Sequence, residues 1–138
     1  MGDTTLELTA TNFEDTLKKG GILIIDFWAA WCGPCRAFAP TFEAAAQKHS
    51  DIVFAKVNTE KERSLAQAFE IQSIPTLAVF RDGIPLMHQA GALPPHILEK
   101  VIEETRKLDM DVVKQKIAAE QTKHDAEHAK PAEQPKPN

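Results

Sequence analysis

Apolar residues along this chain gather in short blocks separated by stretches where they recur every three or four positions. The block Ile22–Trp28 is almost continuous in apolar and β-branched residues, the pattern of a strand covered on both faces. Asp26 alone interrupts it. Residues 52–57 repeat the pattern with Lys56 as the interruption, and residues 4–8 form a shorter β-prone run. Residues 76–80 and 86–90 read as strands flanking Arg81, Asp82, Gly83 and Ile84, where Asp-Gly favours a tight hairpin.

Helical spacing fills the intervals. Asn12 is placed to cap a brief helix in which Phe13 and Leu17 share a face, with Gly20 and Gly21 ending it. Phe38, Phe42, Ala45 and His49 mark a longer helix over 36–50, opened by Pro34 where a missing N–H costs least. Pro40 lies inside it and predicts a kink rather than a break, since apolar spacing resumes beyond. Thr59 and Glu62 have capping-box spacing before a third helix marked by Leu65 and Phe69. From Pro95, the residues Ile97, Leu98, Val101, Ile102 and Leu108 give a last amphipathic helix. The order βαβαβαββα predicts an α/β fold with a mixed central sheet and helices on both faces.

Residues 109–138 differ. Met110, Val113 and Ile117 offer one apolar stripe that could pack on the domain or on a partner, but charges, Ala and Gln dominate beyond Ala118, and prolines follow at 131, 135 and 137. A helical extension to about Ala129 with a disordered end is expected, so the domains read as 1–108 and 109–138. With 43% hydrophobic and 26% charged residues the composition is that of an ordinary globular chain. A net charge of −4 argues against nucleic acid and anionic membrane as partners. The first twenty residues lack a basic start and a hydrophobic block, so a cytoplasmic location is expected.

The only two cysteines, Cys32 and Cys35, sit three apart between the apolar block and the long helix. A disulfide closing so small a loop adds little chain-entropy stabilisation, which makes a working thiol pair the better reading than a staple. An unperturbed thiol, with a pKa of about 8.5, is only roughly 3% ionised at pH 7. The helix dipole supplies about 0.3 to 1 kcal/mol, well under one pKa unit, so hydrogen bonding to the Cys32 sulfur from the Cys35 side is also expected. The five histidines, at 49, 88, 96, 124 and 128, are too scattered to complete a four-ligand zinc site with the cysteines, and no metal is expected.

Asp26-Phe27-Trp28-Ala29, Trp31-Cys32-Gly33-Pro34-Cys35, Ile74-Pro75-Thr76 and Gly91-Ala92-Leu93 together resemble the thioredoxin family over residues 4–108. The resemblance implies a thioredoxin fold and a protein-disulfide reductase with no bound cofactor. Its partners would be disulfide-bearing proteins and a thioredoxin reductase that brings electrons from NADPH, and a monomer is expected. It also implies that Cys32 attacks a substrate disulfide while Cys35 resolves the mixed disulfide.

Two readings stand for Asp26, which shares a strand face with Ile22, Ile24 and Trp28. A carboxyl with a raised pKa would accept the Cys35 proton, whereas a buried ion pair with Lys56 would be structural; Lys56 tunes the carboxyl either way. Pro75 takes the family position of a cis proline presenting the Ile74 backbone to a substrate strand. Trp31, Gly33, Ile74, Ala90, Gly91 and Ala92 would then surround the disulfide as an apolar contact patch, and the Gly33–Pro34 turn would set how easily the ring opens. Trp28 and the phenylalanines read as core. Two rival functions remain: a binding or chaperone module in which the thiols are secondary, and an oxidant or isomerase of an oxidising compartment.

Overall fold

The computed structural model describes residues 4–132, with side chains to residue 122. They form β1 (Thr5–Glu7), α1 (Phe13–Lys18), β2 (Ile22–Trp28), α2 (Gly33–Lys48), β3 (Val53–Asn58), α3 (Arg63–Ala68), β4 (Thr76–Arg81), β5 (Ile84–Ala90), α4 (Pro95–Lys107) and α5 (Met110–Ala132). Contacts divide the chain between Arg106 and Lys107 into two compact units. The expected end beyond residue 132 lies outside the described residues, and the tail helix itself runs past Ala129 to Ala132.

The sheet order is β1-β3-β2-β4-β5, so β2 is central. It pairs in parallel with β3 and antiparallel with β4, and β5 closes the sheet by an antiparallel pairing with β4. Strand alternation sends the side chains of β2 to two cores. Ile22 and Ile24 join Phe38, Phe42, Phe54, Leu98 and Ile102 on the side of α2 and α4. Leu23, Ile25 and Phe27 join Ala55, Val57 and Leu65 on the opposite side, with Phe13 and Phe69 against them. A strand buried on both faces cannot alternate with polar residues, which is why this block is so nearly apolar.

The β4–β5 turn places Asp82 at φ 56° and Gly83 at φ 78°, the pair of positive angles a type I′ hairpin requires. Pro40 leaves α2 continuous from Gly33 to Lys48.

Three local expectations fail. Asn12 occupies the cap of α1 without a side-chain cap bond, because its Oδ1 accepts from the Thr9 N–H at 2.8 Å. Thr59 and Glu62 form no capping box: the Thr59 hydroxyl donates to the Trp28 carbonyl, and the Glu62 carboxylate accepts from the Ala10 N–H. Leu108 lies beyond the end of α4 and is 38% exposed, so Thr105 takes the buried position instead and donates its hydroxyl to the Val101 carbonyl. In the tail the expected stripe narrows, with Ile117 43% exposed.

Candidate functional site

β2 ends at Trp28, and four residues later the chain enters α2 with Cys32 as its cap residue, in extended geometry (φ −86°, ψ 115°). Pro34, in the first turn, spends no needed N–H. Cys32 and Cys35 form a disulfide with their Cα atoms 5.2 Å apart. The Cys35 backbone N–H also points at the Cys32 sulfur, at 3.1 Å. That donor meets the expectation of help from the Cys35 side, and it comes from the backbone, so any residue at position 35 except proline would supply it.

The two sulfur-bearing residues pack with Ala29, Trp28 and Ile74. The Cys32 sulfur lies 3.8 Å from the Ile74 carbonyl oxygen, beside a cis Ile74–Pro75 peptide. Cys32 is only 4% exposed with the ring closed, and Cys35 2%. The cover of Trp28 and Ile74 accounts for this. What meets solvent is the rim: Trp31 at 65%, together with Gly33 and Pro34. The Trp31 indole N–H donates to the Glu60 carboxylate, and Arg36 donates to the Ala30 carbonyl at 2.9 Å. Gly33 has nothing within 4 Å of where a Cβ would stand, so its surroundings do not demand glycine.

On the far side of the cis proline, the Gly91 N–H donates to the Pro75 carbonyl at 2.8 Å, and Ala90 pairs in register with Thr76. Gly91 sits at φ 99°, a conformation that glycine alone adopts without strain. Ala90, Gly91 and Ala92 are exposed, so they border the same surface as Ile74. Of the contact residues named from the sequence, Ile74 packs against the disulfide, Trp31, Gly33 and Pro34 are exposed beside it in the chain, and Ala90 and Gly91 are tied to the cis-proline segment through Thr76 and Pro75.

Asp26 is 1% exposed, on the β2 face that carries Ile22 and Ile24. α2 covers that face through Phe38 and Phe42, and Cys35 lies one turn before Phe38, so Asp26 and Cys35 belong to facing elements. Neither carboxyl oxygen has a hydrogen-bond partner among the described residues. Burial raises its pKa from 3.8 to about 7, with Lys56 pulling in the opposite direction. Lys56 is the register partner of Asp26 on β3, but its ammonium stands over the Trp28 ring, 4.8 Å from the centroid. No Asp26–Lys56 salt bridge forms within 4.0 Å, although the charge of Lys56 still acts on the carboxyl. Trp28, read from the sequence as core alone, touches both the disulfide and the lysine. Its place on the Asp26 face of the strand was the available signal. Glu60 carried none, being 29 residues from Trp31.

Among the described residues no three His, Cys, Asp or Glu side chains come together as a metal site, and no helix is long and apolar enough to cross a membrane.

Two sulfurs closing a ring at the head of a helix, in a chain with no other cysteine, have one characteristic reaction: exchange of that bond with a disulfide elsewhere. This defines the class, a thiol–disulfide oxidoreductase on a helix-flanked mixed sheet. The thioredoxin family model matches residues 4–104. A putative thioredoxin 2 of Streptomyces coelicolor is 50% identical over 117 residues, covering 85% of this chain and 87% of that protein. A thioredoxin of Alicyclobacillus acidocaldarius is 41% identical over 96 residues, covering 69% and 91%. The crystal structure of mitochondrial thioredoxin 3 from Saccharomyces cerevisiae, in its oxidised form, superposes with a TM-score of 0.68 at 32% identity, covering 73% of this chain and 95% of that one. The chain belongs to the thioredoxin family, and its activity is that of a protein-disulfide reductase working by dithiol–disulfide exchange.

Proposed function

We propose that Cys32 is the attacking thiol, Cys35 the resolving thiol and Asp26 the group that takes the Cys35 proton, with Lys56 holding the Asp26 pKa down. The Cys32 thiolate displaces one sulfur of a substrate disulfide, giving a mixed disulfide and one substrate thiolate. Cys35 then loses its proton to Asp26 and attacks the Cys32 sulfur. The Cys32–Cys35 bond forms, the second substrate sulfur leaves, and two electrons have passed to the substrate. The observation that carries this assignment is the buried, unpartnered Asp26 carboxyl, near pH 7 in its titration and opposite the helix that bears Cys35. A group that titrates near the working pH can both accept and return a proton.

The substrate strand docks along Ile74 and the cis Pro75, bordered by Trp31, Gly33, Pro34, Ala90, Gly91 and Ala92. The oxidised protein is restored by a thioredoxin reductase using NADPH, and no cofactor is bound. The protein works as a monomer in the cytoplasm, where the reducing poise suits a dithiol that must be reopened each cycle. Residues 1–108 are the catalytic domain, and 109–138 take no part in exchange.

The rival binding-module reading and the individual roles are tested together. Cys35→Ser should accumulate mixed disulfides with substrate proteins, and Cys32→Ser should form none and fail to reduce insulin. Insulin reduction by Cys32→Ser, or adducts carried on Cys35 in the wild type, would overturn the assignment. Size-exclusion chromatography of the reduced protein checks the monomer.

A further inference from the structure

The short helix α3 ends in a Schellman motif: the Glu70 N–H donates to the Gln67 carbonyl at 2.9 Å and the Ile71 N–H to the Ala66 carbonyl at 3.0 Å. The residue after the cap must then be left-handed, a place glycine fills without strain, and here it is Glu70 at φ 55°. The other non-glycine residue in that region, Asp82, is explained by its hairpin, but the turn at residue 70 gives no reason for a glutamate. Strain retained where a simpler residue would relieve it is a reason to look at what the side chain faces.

Glu70 lines a cleft of about 340 Å³, together with Gln72, Ser73, Thr76, His88 and Ala90. Ser73 and Thr76 flank the Ile74–Pro75 bond, and Ala90 pairs in register with Thr76, so the cleft is continuous with the docking edge. The side chains of Glu70, Gln72, Ser73 and His88 have no partner among the described residues. Glu70 contributes the one carboxylate to the lining, and no lysine or arginine lines it. The volume lies at the lower end of that of ligand pockets, room for a single long side chain rather than a whole ligand.

We propose that this cleft is a specificity subsite that takes the lysine or arginine side chain of a disulfide-bearing polypeptide docked along Ile74, with Glu70 selecting its charge. The inference rests on the docking edge described under the proposed function. It adds a preference that the exchange chemistry alone does not supply.

The test uses prereduced full-length protein in single turnover, which needs no reductase, against cyclic disulfide peptides carrying Lys, Ala or Glu at each of three positions on either side of the attacked cysteine. At the position that reaches the cleft, the Lys peptide should react about two- to five-fold faster than the Glu peptide, the range of a partly exposed charge pair, and the ratio should fall toward one in 1 M salt. Glu70→Gln should abolish the ratio while leaving the Ala peptide unchanged. Glu70→Gly should abolish it too and raise the unfolding midpoint, since the strain is relieved. Turnover with no Lys preference, or a preference undiminished in Glu70→Gln, overturns the subsite alone. Failure of the wild type to reduce any peptide overturns the reductase reading, and this proposal with it.

Discussion

Replacing Asp26 with asparagine should stabilise the oxidised protein, and by an amount that depends on pH. The native carboxyl is 1% exposed and titrates near pH 7, whereas in the unfolded chain it titrates near 3.8. The folded state therefore holds a proton that the unfolded state has released between those two values. With more protons bound in the native state, stability falls as pH rises. The favourable contribution is complete below pH 3.8 and is lost as pH climbs through 7. At about 1.36 kcal/mol per pKa unit, ionised Asp26 costs the fold on the order of 4 kcal/mol above pH 7.

Asparagine has the same shape and no charge, so it escapes that cost. Its amide is as poorly partnered as the carboxyl it replaces, so both proteins carry a similar pH-independent constant of about 1 to 3 kcal/mol for an unpaired buried polar group. The constant cancels when two pH values are compared. Between pH 5 and pH 8.5 the advantage of Asp26→Asn over the wild type should grow by about 3 kcal/mol. Urea unfolding at fixed ionic strength, with the m-value checked at each pH, measures it directly. A difference between the two proteins that stays constant within about 0.5 kcal/mol across that range would mean Asp26 is not desolvated, and its proton-accepting role would lose its basis. The same variant should slow release of the mixed disulfide, since Cys35 would have no acceptor for its proton.

Three further outcomes follow. Lys56→Met removes the one group that lowers the Asp26 pKa, so the carboxyl should titrate above its present value of about 7; a midpoint by carboxyl-carbon NMR that does not move would rule out coupling across β2 and β3. Gly83→Ala should cost about 1 kcal/mol in urea unfolding, because φ 78° is strained for alanine while the nearest atom to the new Cβ, the Leu17 carbonyl oxygen, is an ordinary 3.9 Å away. Truncation after Leu108 should leave insulin reduction within about twofold of the full chain, and a larger loss of turnover would bring the extension into the site.

The features legible in the sequence are those set by neighbours along the chain. A two-sided strand announces itself by continuous apolar residues, Asp82-Gly83 by the backbone angles a tight hairpin needs, and the cysteine pair by its spacing. What failed in the capping box was set by residues far away in sequence. Glu62 looks like a capping residue until Ala10, 52 positions back, presents an unpaired N–H. Thr59 looks like the other half of that box until the Trp28 carbonyl claims its hydroxyl. Leu108 continues the apolar period of α4, but the helix ends before it. The cis state of Pro75 and the contact patch came from the family resemblance, since no local pattern reports which peptide will face a distant sulfur.

The near-complete burial of the closed disulfide has a chemical consequence. Exchange needs an incoming sulfur nearly in line with the bond it breaks, yet Cys32 offers 4% of its surface and Cys35 2%. A small thiol in solution must find that narrow approach by chance. On the docking proposed above, a protein that settles on the exposed ring of Trp31 and pairs with the Ile74 backbone would deliver its sulfur already oriented, turning a collision into an intramolecular step. The apolar rim and the buried bond are thus two parts of one device: the rim supplies encounter, and the cover over the sulfurs denies reaction to anything that has not used the rim. On that docking, selectivity for protein partners over small thiols would arise from accessibility, without any change in the redox chemistry of the pair.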